Sequence, residues 1–197
     1  GSASAAESVA QEICDNGGSA VSSAASVTDF DAVQAMCEET MSNWGRIDIL
    51  VNNAGVSWGA PLEDFPEMGW DKVMDTNVKG VFFLIQKMLP FLEKSGSAQS
   101  PARVINIGSV DGIKSPAFET YSYGPSKAAV HHLTRVLAGH LIKRHIICNA
   151  IAPGPFPTWM LSTGVGGGGD TDIDWDLVAK GNPSKRVGTM EDITGLA

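Results

Sequence analysis

Tyr123 and Lys127 have the residue types and the spacing needed for acid–base chemistry at an oxygen atom. They lie four residues apart near the start of a predicted helix over residues 122–143, so their side chains share one helix face. A phenol has a pKa of ~10, and a neighbouring ammonium group lowers that pKa toward neutrality. Such a pair could exchange a proton with a substrate oxygen while carbon gains or loses hydride, as in the interconversion of a carbonyl and an alcohol. Tyr121 offers no equivalent pair, because Pro125 stands four residues after it.

Three predicted strands, over residues 47–52, 103–107 and 145–151, end in small, turn-forming or hydroxyl-bearing residues. The residues that follow are Asn53, Ala54 and Gly55 after the first strand, Gly108 and Ser109 after the second, and Pro153, Gly154 and Thr158 after the third. In an open parallel sheet, ligands bind beyond the carboxyl ends of the strands. We therefore expect these residues to meet at one sheet edge, where Ser109 could hydrogen-bond the substrate oxygen that Tyr123 protonates.

The elements that position these residues alternate between helical and strand-like patterns. Apolar residues at helical spacing predict helices over 6–15, 29–44, 67–94 and 122–143, the third of them broken near Thr76. A β-prone stretch at 20–25 precedes the second helix, which Thr28 or Asp29 can cap. The nearly continuous apolar run at 47–52 is typical of a strand covered on both faces. Strands separated by helices predict an α/β fold, a doubly wound parallel sheet with helices on both faces.

The composition excludes several classes of protein. With 14 basic against 22 acidic residues the formal charge is −8, whereas nucleic-acid binding needs a basic surface. No apolar run approaches the ~18 residues of a membrane helix. The three cysteines fit neither a disulfide framework nor a zinc site, and His131 and His132 lack a second ligand pair at metal spacing. We therefore expect a cytoplasmic protein with no metal and with no nucleic-acid or membrane partner.

The motifs around the candidate residues resemble those of the short-chain dehydrogenases/reductases over nearly the whole chain. The matching segments are Asn52-Asn53-Ala54-Gly55, residues 75–80 around Asn77, residues 105–109 ending in Ser109, Tyr123 with Lys127, and Pro153-Gly154 with Thr158. Within that family, residues 51–60, 101–110 and 123–129 are similar to 3-oxoacyl reductases, above all the type linked to rhamnolipid synthesis.

The resemblance implies a Rossmann-like, three-layer αβα fold and a set of catalytic roles. Tyr123 would be the general acid/base, and Lys127 would lower its pKa and hold the nicotinamide ribose. Ser109 would orient the substrate carbonyl, and Asn77 would support a water-mediated proton relay. The resemblance also implies a small carbonyl or alcohol substrate, and a homodimer or homotetramer formed through the helices at 77–94 and 122–143.

The resemblance implies a nicotinamide cofactor as well, and favours NADP(H) over NAD(H). The residues assigned to it, besides Tyr123 and Lys127, are Asn53, Ala54 and Gly55 on the adenosine-ribose side and Pro153, Gly154 and Thr158 at the nicotinamide end. A dinucleotide site also needs a glycine-rich turn between a strand and a helix, and none precedes Ala6. Ser26 stands where the family usually has an adenine-contacting aspartate.

These departures predict that residues 1–197 form a single, partial domain. It would lack the family's first βαβ unit and last strand, as expected of a fragment of a longer protein. The glycine-rich residues within 161–174 predict a flexible loop on the substrate side.

Two readings of function stay open. The first is an NAD(P)-dependent oxidoreductase of fatty acid metabolism that reduces a 3-oxoacyl thioester or, less directly supported, a sugar or polyol. The second is a non-catalytic scaffold of the same fold that has lost dinucleotide binding. An apolar substrate pocket could form from Trp58, Phe156, Trp159 and Met160, although ordinary packing explains such residues equally well.

Overall fold

The computed structural model describes residues 3–116, 118–158, 160 and 173–195. The regular elements are α1 (Ala3–Asp15), α2 (Phe30–Trp44), β1 (Ile49–Asn52), α3 (Glu67–Met74), α4 (Val81–Ser95), β2 (Ala102–Ile107), α5 (Tyr123–Leu141), β3 (Ile146–Ile151), α6 (Trp175–Gly181) and α7 (Glu191–Thr194). Of the predicted flexible loop at 161–174, only residues 173 and 174 are described, where Asp174 caps α6. The rest of that prediction lies outside the described residues.

The strands form one parallel sheet in the order β1–β2–β3. Leu50 of β1 pairs with Val104 of β2, which pairs with Cys148 of β3, so these three side chains lie on the same face. Because the strands run parallel, the residues that follow Asn52, Ile107 and Ile151 emerge at a common edge. The predicted α/β class with a parallel, Rossmann-like sheet is confirmed.

Helices α2, α4 and α5 pack against the face of the sheet that carries Leu50, Val104 and Cys148. The other face remains accessible in the described residues: Ile49 and Val51 of β1 are 53% and 49% exposed. The expectation that β1 is covered on both faces is therefore wrong for this structure. Its alternating burial is that of a strand with one buried face.

The predicted break in the long helix is a π-helical segment over Asp75–Gly80, between α3 and α4. A π-helical turn contains more residues than an α-helical one, so the side chains that follow are rotated relative to a regular helix. Asn77 lies in this segment and is 1% exposed. The helix that precedes β1 starts as expected, because the Asp29 carboxylate accepts the backbone N–H groups of Asp31 and Ala32.

The β-prone stretch at 20–25 is not a strand in the structure. A strand exists only when a neighbour completes its hydrogen-bond ladder, and the described strands pair only among themselves. That prediction is wrong because it rested on local residue preference, whereas strand pairing depends on distant segments.

Two further observations bear on the class of protein. None of the helices in the described part of the chain is long and apolar enough to cross a bilayer. All three cysteines are free thiols, as the sequence predicts: Cys14 is exposed, whereas Cys37 and Cys148 are buried.

Candidate active site

The loops after β2 and β3 meet at the carboxyl edge of the sheet. Gly108 N–H donates to the Ile151 carbonyl at 2.8 Å, and Val110 N–H donates to the Pro153 carbonyl at 3.0 Å. These two bonds join the segment that contains Ser109 to the segment that begins at Pro153. The expected convergence of strand ends is therefore present for these two loops.

A buried polar network fixes α5 beneath that edge. Asn52 of β1 donates to the Asn106 Oδ1 of β2 at 2.8 Å, and Asn106 donates to the Thr134 Oγ1 of α5 at 2.9 Å. Thr134 in turn donates to the Val130 carbonyl at 2.8 Å. The chain of bonds connects two strands to the middle of α5.

Lys127 is the buried cation of the site, with 5% of its surface exposed. Its ammonium group donates to the Ile107 carbonyl at 2.8 Å, and Nζ lies 5.6 Å from the centre of the Tyr123 ring. Burial lowers the pKa of Lys127 to about 8, because the charged form loses its hydration. One backbone bond uses only one of the three ammonium donors.

Tyr123 lies beside Ser109 and is half-buried. Burial is the main cause that raises the pKa of the Tyr123 phenol, the Asp111 carboxylate raises it further, and a hydrogen bond with Ser109 opposes both. The sequence predicts a lowered pKa for Tyr123, and that prediction is wrong. The reason is that burial of the phenol and the Asp111 carboxylate outweigh the opposing effect of Ser109, while the Lys127 ammonium is bonded to the Ile107 carbonyl.

Ser109 is 8% exposed and is held through two of its groups. Its Oγ accepts the backbone N–H of Asp111 at 3.1 Å. Its own backbone N–H donates to His131 Nε2 at 3.2 Å. The hydroxyl proton remains available for an oxygen placed between Ser109 and Tyr123.

The Asn77 side chain makes three hydrogen bonds to other protein groups. Oδ1 accepts the Val56 N–H at 2.9 Å, while Nδ2 donates to the Val56 carbonyl at 2.9 Å and to Ser126 Oγ at 3.0 Å. These bonds tie the loop after β1 to α5. They also place Gly55 near the reactive groups, because a Cβ added at Gly55 would lie 3.5 Å from Lys127 Nζ.

The other residues assigned to cofactor binding are mostly exposed. Asn53 and Ala54 follow β1 at the surface, and Gly154 and Thr158 are exposed beyond β3, while Pro153 is half-buried. These residues lie at the same sheet edge as the buried groups. Among them, Pro153 is the one that the described hydrogen bonds join to the segment containing Ser109.

No contact among the described residues joins Trp58, Phe156 and Met160, so the apolar substrate pocket stays a prediction. Trp58 packs over Gly69 of α3, and Lys72 Nζ lies 5.6 Å from the centre of its ring. Phe156 packs instead against Gly188, and Met160 is 36% exposed. Trp159 lies outside the described residues.

Sequence reasoning missed two residues that contact the site. His131 was considered only as a metal ligand, yet it lies four residues after Lys127 and bonds the Ser109 backbone. Helical spacing from Lys127 was the available signal. Asp111 acts on Tyr123 through its charge, and its position two residues after Ser109 was the available signal. Tyr121, as expected, lies elsewhere: its hydroxyl donates to Glu119 and its ring contacts Phe65.

Two relatives found by comparison with known proteins are both 3-oxoacyl-[acyl-carrier-protein] reductases. The 3-oxoacyl-[acyl-carrier-protein] reductase of rhamnolipid biosynthesis from Pseudomonas aeruginosa is 60% identical over 115 residues, which are 58% of this chain and 45% of that protein. The 3-oxoacyl-[acyl-carrier-protein] reductase FabG of Staphylococcus aureus is 40% identical over 154 residues, or 78% of this chain and 61% of that protein. The chain therefore spans roughly half the length of these relatives.

Among solved structures, the RhlG/NADP active-site complex of Pseudomonas aeruginosa superimposes with a TM-score of 0.87. It is 40% identical in sequence, and the match covers 98% of this chain and 74% of that one. The family model described as short chain dehydrogenase matches residues 1–164. Since that match spans most of the chain and includes Asn77, Ser109, Tyr123 and Lys127, the chain belongs to the short-chain dehydrogenase family.

Proposed function

We propose that this chain is the catalytic core of an NAD(P)-dependent reductase that converts a ketone, a 3-oxoacyl thioester, into a secondary alcohol. The observation that carries the proposal is the group formed by Ser109, Tyr123 and Lys127: a hydroxyl beside a phenol, with a buried ammonium group over the phenol ring. The relatives named as 3-oxoacyl-[acyl-carrier-protein] reductases support the substrate class.

The residues present fit the nicotinamide end of the cofactor. Lys127 is a buried cation with donors left over after its bond to Ile107, and it would hold hydroxyl groups of the ribose. Thr158 and the exposed backbone at Gly154 would contact the nicotinamide. When bound, the cofactor supplies the hydride. The neighbouring RhlG structure is an NADP complex, which favours NADP(H) here.

In the proposed mechanism, the Ser109 hydroxyl donates a hydrogen bond to the substrate carbonyl and so orients it. Tyr123 gives its phenolic proton to the same oxygen as negative charge develops there. Since burial and Asp111 raise the pKa of Tyr123, the phenol is protonated at neutral pH, which is the state that a general acid needs. Lys127 would hold the cofactor ribose beside the phenol, and Asn77 holds Gly55 and α5 in place around it.

We also propose that the protein forms a dimer through the helices at 77–94 and 122–143. Phe82 of α4 and Val136 of α5 are 40% and 44% exposed. Phe82 lines a surface groove with Met74, Val78 and Leu133, which the Asp75–Lys79 ion pair also borders. Burial of such a surface against a second copy would stabilise both copies.

The test is NADPH oxidation with an acetoacetyl thioester, compared between the wild type and Tyr123→Phe. Removal of the acid should lower kcat by about 10³-fold. Tyr121→Phe removes a phenol two residues away whose hydroxyl donates to Glu119, and it should keep wild-type turnover. Wild-type turnover in Tyr123→Phe would exclude the proposed role of Tyr123.

A binding measurement separates the enzyme from the scaffold alternative. Enhanced NADPH fluorescence on mixing with the chain supports the enzyme, whereas unchanged fluorescence together with no turnover supports a non-catalytic scaffold. Turnover with a polyol and none with the thioester would retain the reaction class and replace the substrate.

A further inference from the structure

Helix α5 is hydrogen-bonded to the end of β2 on both sides of Gly108. Lys127 Nζ donates to the Ile107 carbonyl at 2.8 Å, and His131 Nε2 accepts the Ser109 N–H at 3.2 Å. Lys127 and His131 are one helical turn apart and so project from the same face of α5. The two bonds fix the peptide groups on both sides of Gly108, which is the backbone that carries Ser109.

The absence of a side chain at residue 108 makes this contact possible. A Cβ added at Gly108 would lie 2.1 Å from His131 Nε2 and 2.6 Å from its Cδ2, far inside van der Waals contact. The imidazole thus occupies the space above Gly108. Its position is set by backbone packing as well as by the hydrogen bond.

The bond to Ser109 requires one particular state of His131. A backbone N–H can only donate, so Nε2 must be the unprotonated nitrogen and the ring proton must be on Nδ1. An imidazolium has no acceptor and would lose the bond. Burial, followed by the charges of Arg135 and Lys127, lowers the pKa of His131, which favours the neutral ring.

The side chains of β2 and β3 near His131 carry no charge that would favour the protonated ring. From β3, Cys148 lines the same cavity, and burial raises the pKa of its thiol to about 11, so it carries no charge there. The remaining β3 residues that line it, Asn149 and Ala150, do not titrate. The end of β2 at 106–109 carries no charged side chain.

We propose that His131 is a positioning residue, whose neutral imidazole holds the Ser109 backbone so that the serine hydroxyl is aimed at the substrate oxygen. The proposal rests on the proposed reductase function for its effect on turnover. With its Oγ also bonded to Asp111 N–H, Ser109 is held from two sides. Protonation of His131 would break the bond from the Ser109 backbone N–H.

Two substitutions test the role. His131→Gln retains an acceptor at the end of a side chain of similar length and does not titrate, whereas His131→Leu retains bulk without an acceptor. We expect His131→Leu to lower kcat about tenfold with the KM for NADPH within twofold of wild type. We expect the wild-type kcat to fall at acidic pH as His131 is protonated, and His131→Gln should keep most of kcat and lack that fall.

Equal kcat values and equal pH profiles in the wild type and both variants would overturn the proposal, and so would a loss in His131→Gln as large as that in His131→Leu. A structural readout needs no turnover. NMR of the wild-type chain should show the Nδ1–H tautomer of His131, and the protection of the Ser109 amide against hydrogen exchange should fall as His131 is protonated.

The NMR and hydrogen-exchange measurement also distinguishes a failure of the proposed reductase function from a failure of the proposed role of His131. If the wild type has no reductase activity but shows this tautomer and the linked loss of Ser109 protection, the proposed function fails and the bond from His131 is upheld. If Ser109 protection is independent of His131 protonation, the positioning role is refuted whatever the activity.

Discussion

The candidate site has two halves that differ in how they are held. In the buried half, Asn77, Ser109 and Lys127 are 1%, 8% and 5% exposed, and each side chain has a protein partner. In the exposed half, Ala54 and Thr158 lie at the surface. The buried groups are thus positioned by the protein itself, whereas Ala54 and Thr158, which would also contact the cofactor, face solvent. Substitutions in the first half should affect stability and kcat, and those in the second should affect KM.

The largest expected effect is on stability, for Asn77→Ala. The change leaves the Val56 N–H, the Val56 carbonyl and Ser126 Oγ without their partner, and it should lower the free energy of unfolding by about 4 kcal/mol. Urea unfolding measures this. The control is Asn43→Ala at an exposed site on α2, which should change stability by less than about 0.5 kcal/mol. Equal midpoints for the two variants would show that burial of Asn77 contributes nothing.

A second test concerns the buried charge of Lys127. Its pKa is about 8 in the folded chain against 10.5 for the free side chain. Between these values the unfolded chain binds the proton and the folded chain does not, so the free energy of unfolding rises with pH, by about 3 kcal/mol in total. Below pH 8 the cost of burying the charge is fully present.

Unfolding curves of the wild type, Lys127→Met and Lys94→Met measure that dependence across pH 8 to 10.5. Lys127→Met should lack the rise, while Lys94→Met, changed at an exposed site at the end of α4, should keep it. Parallel curves for the wild type and Lys127→Met would mean that the ammonium is not desolvated.

A smaller effect is expected from Asp111→Asn. The Asp111 carboxylate raises the pKa of Tyr123, so its removal should lower that pKa and let the phenolate form at lower pH. In the reverse direction, alcohol oxidation, Tyr123 acts as a base, and the rise of kcat with pH should therefore move to lower pH. Glu12→Gln makes the same charge change on the exposed helix α1 and should leave the profile in place. A shift in the opposite direction would contradict the assignment of Asp111.

The smallest effect on stability is expected in the exposed half, for Thr158→Ala. An exposed hydroxyl should contribute less than about 0.5 kcal/mol to folding. The KM for NADPH should nevertheless rise several-fold, and Thr158→Ser, which keeps the hydroxyl, should restore it. A loss of stability like that of Asn77→Ala would remove the distinction between the two halves.

Much of the fold could be predicted because its signals are local. Apolar runs and helical spacing predict α1 to α5 and the three strands found in the described residues, and the Asp29 cap is visible in the sequence. The stretch at 20–25 was mispredicted because a strand depends on a neighbour that local preference does not report. For the site, motif spacing predicted which residues lie together, but not the direction of the pKa shift of Tyr123, which depends on burial and on where the Lys127 ammonium points.

The π-helical segment at Asp75–Gly80 makes the length of this part of the chain critical. Each residue advances an α-helix by about 100°. Deleting one residue there to regularise the helix would turn either Asn77 away from Val56, or the inward-facing Leu84, Ile85 and Met88 away from the sheet. Natural relatives should therefore tolerate substitutions in this segment more readily than any change in its number of residues.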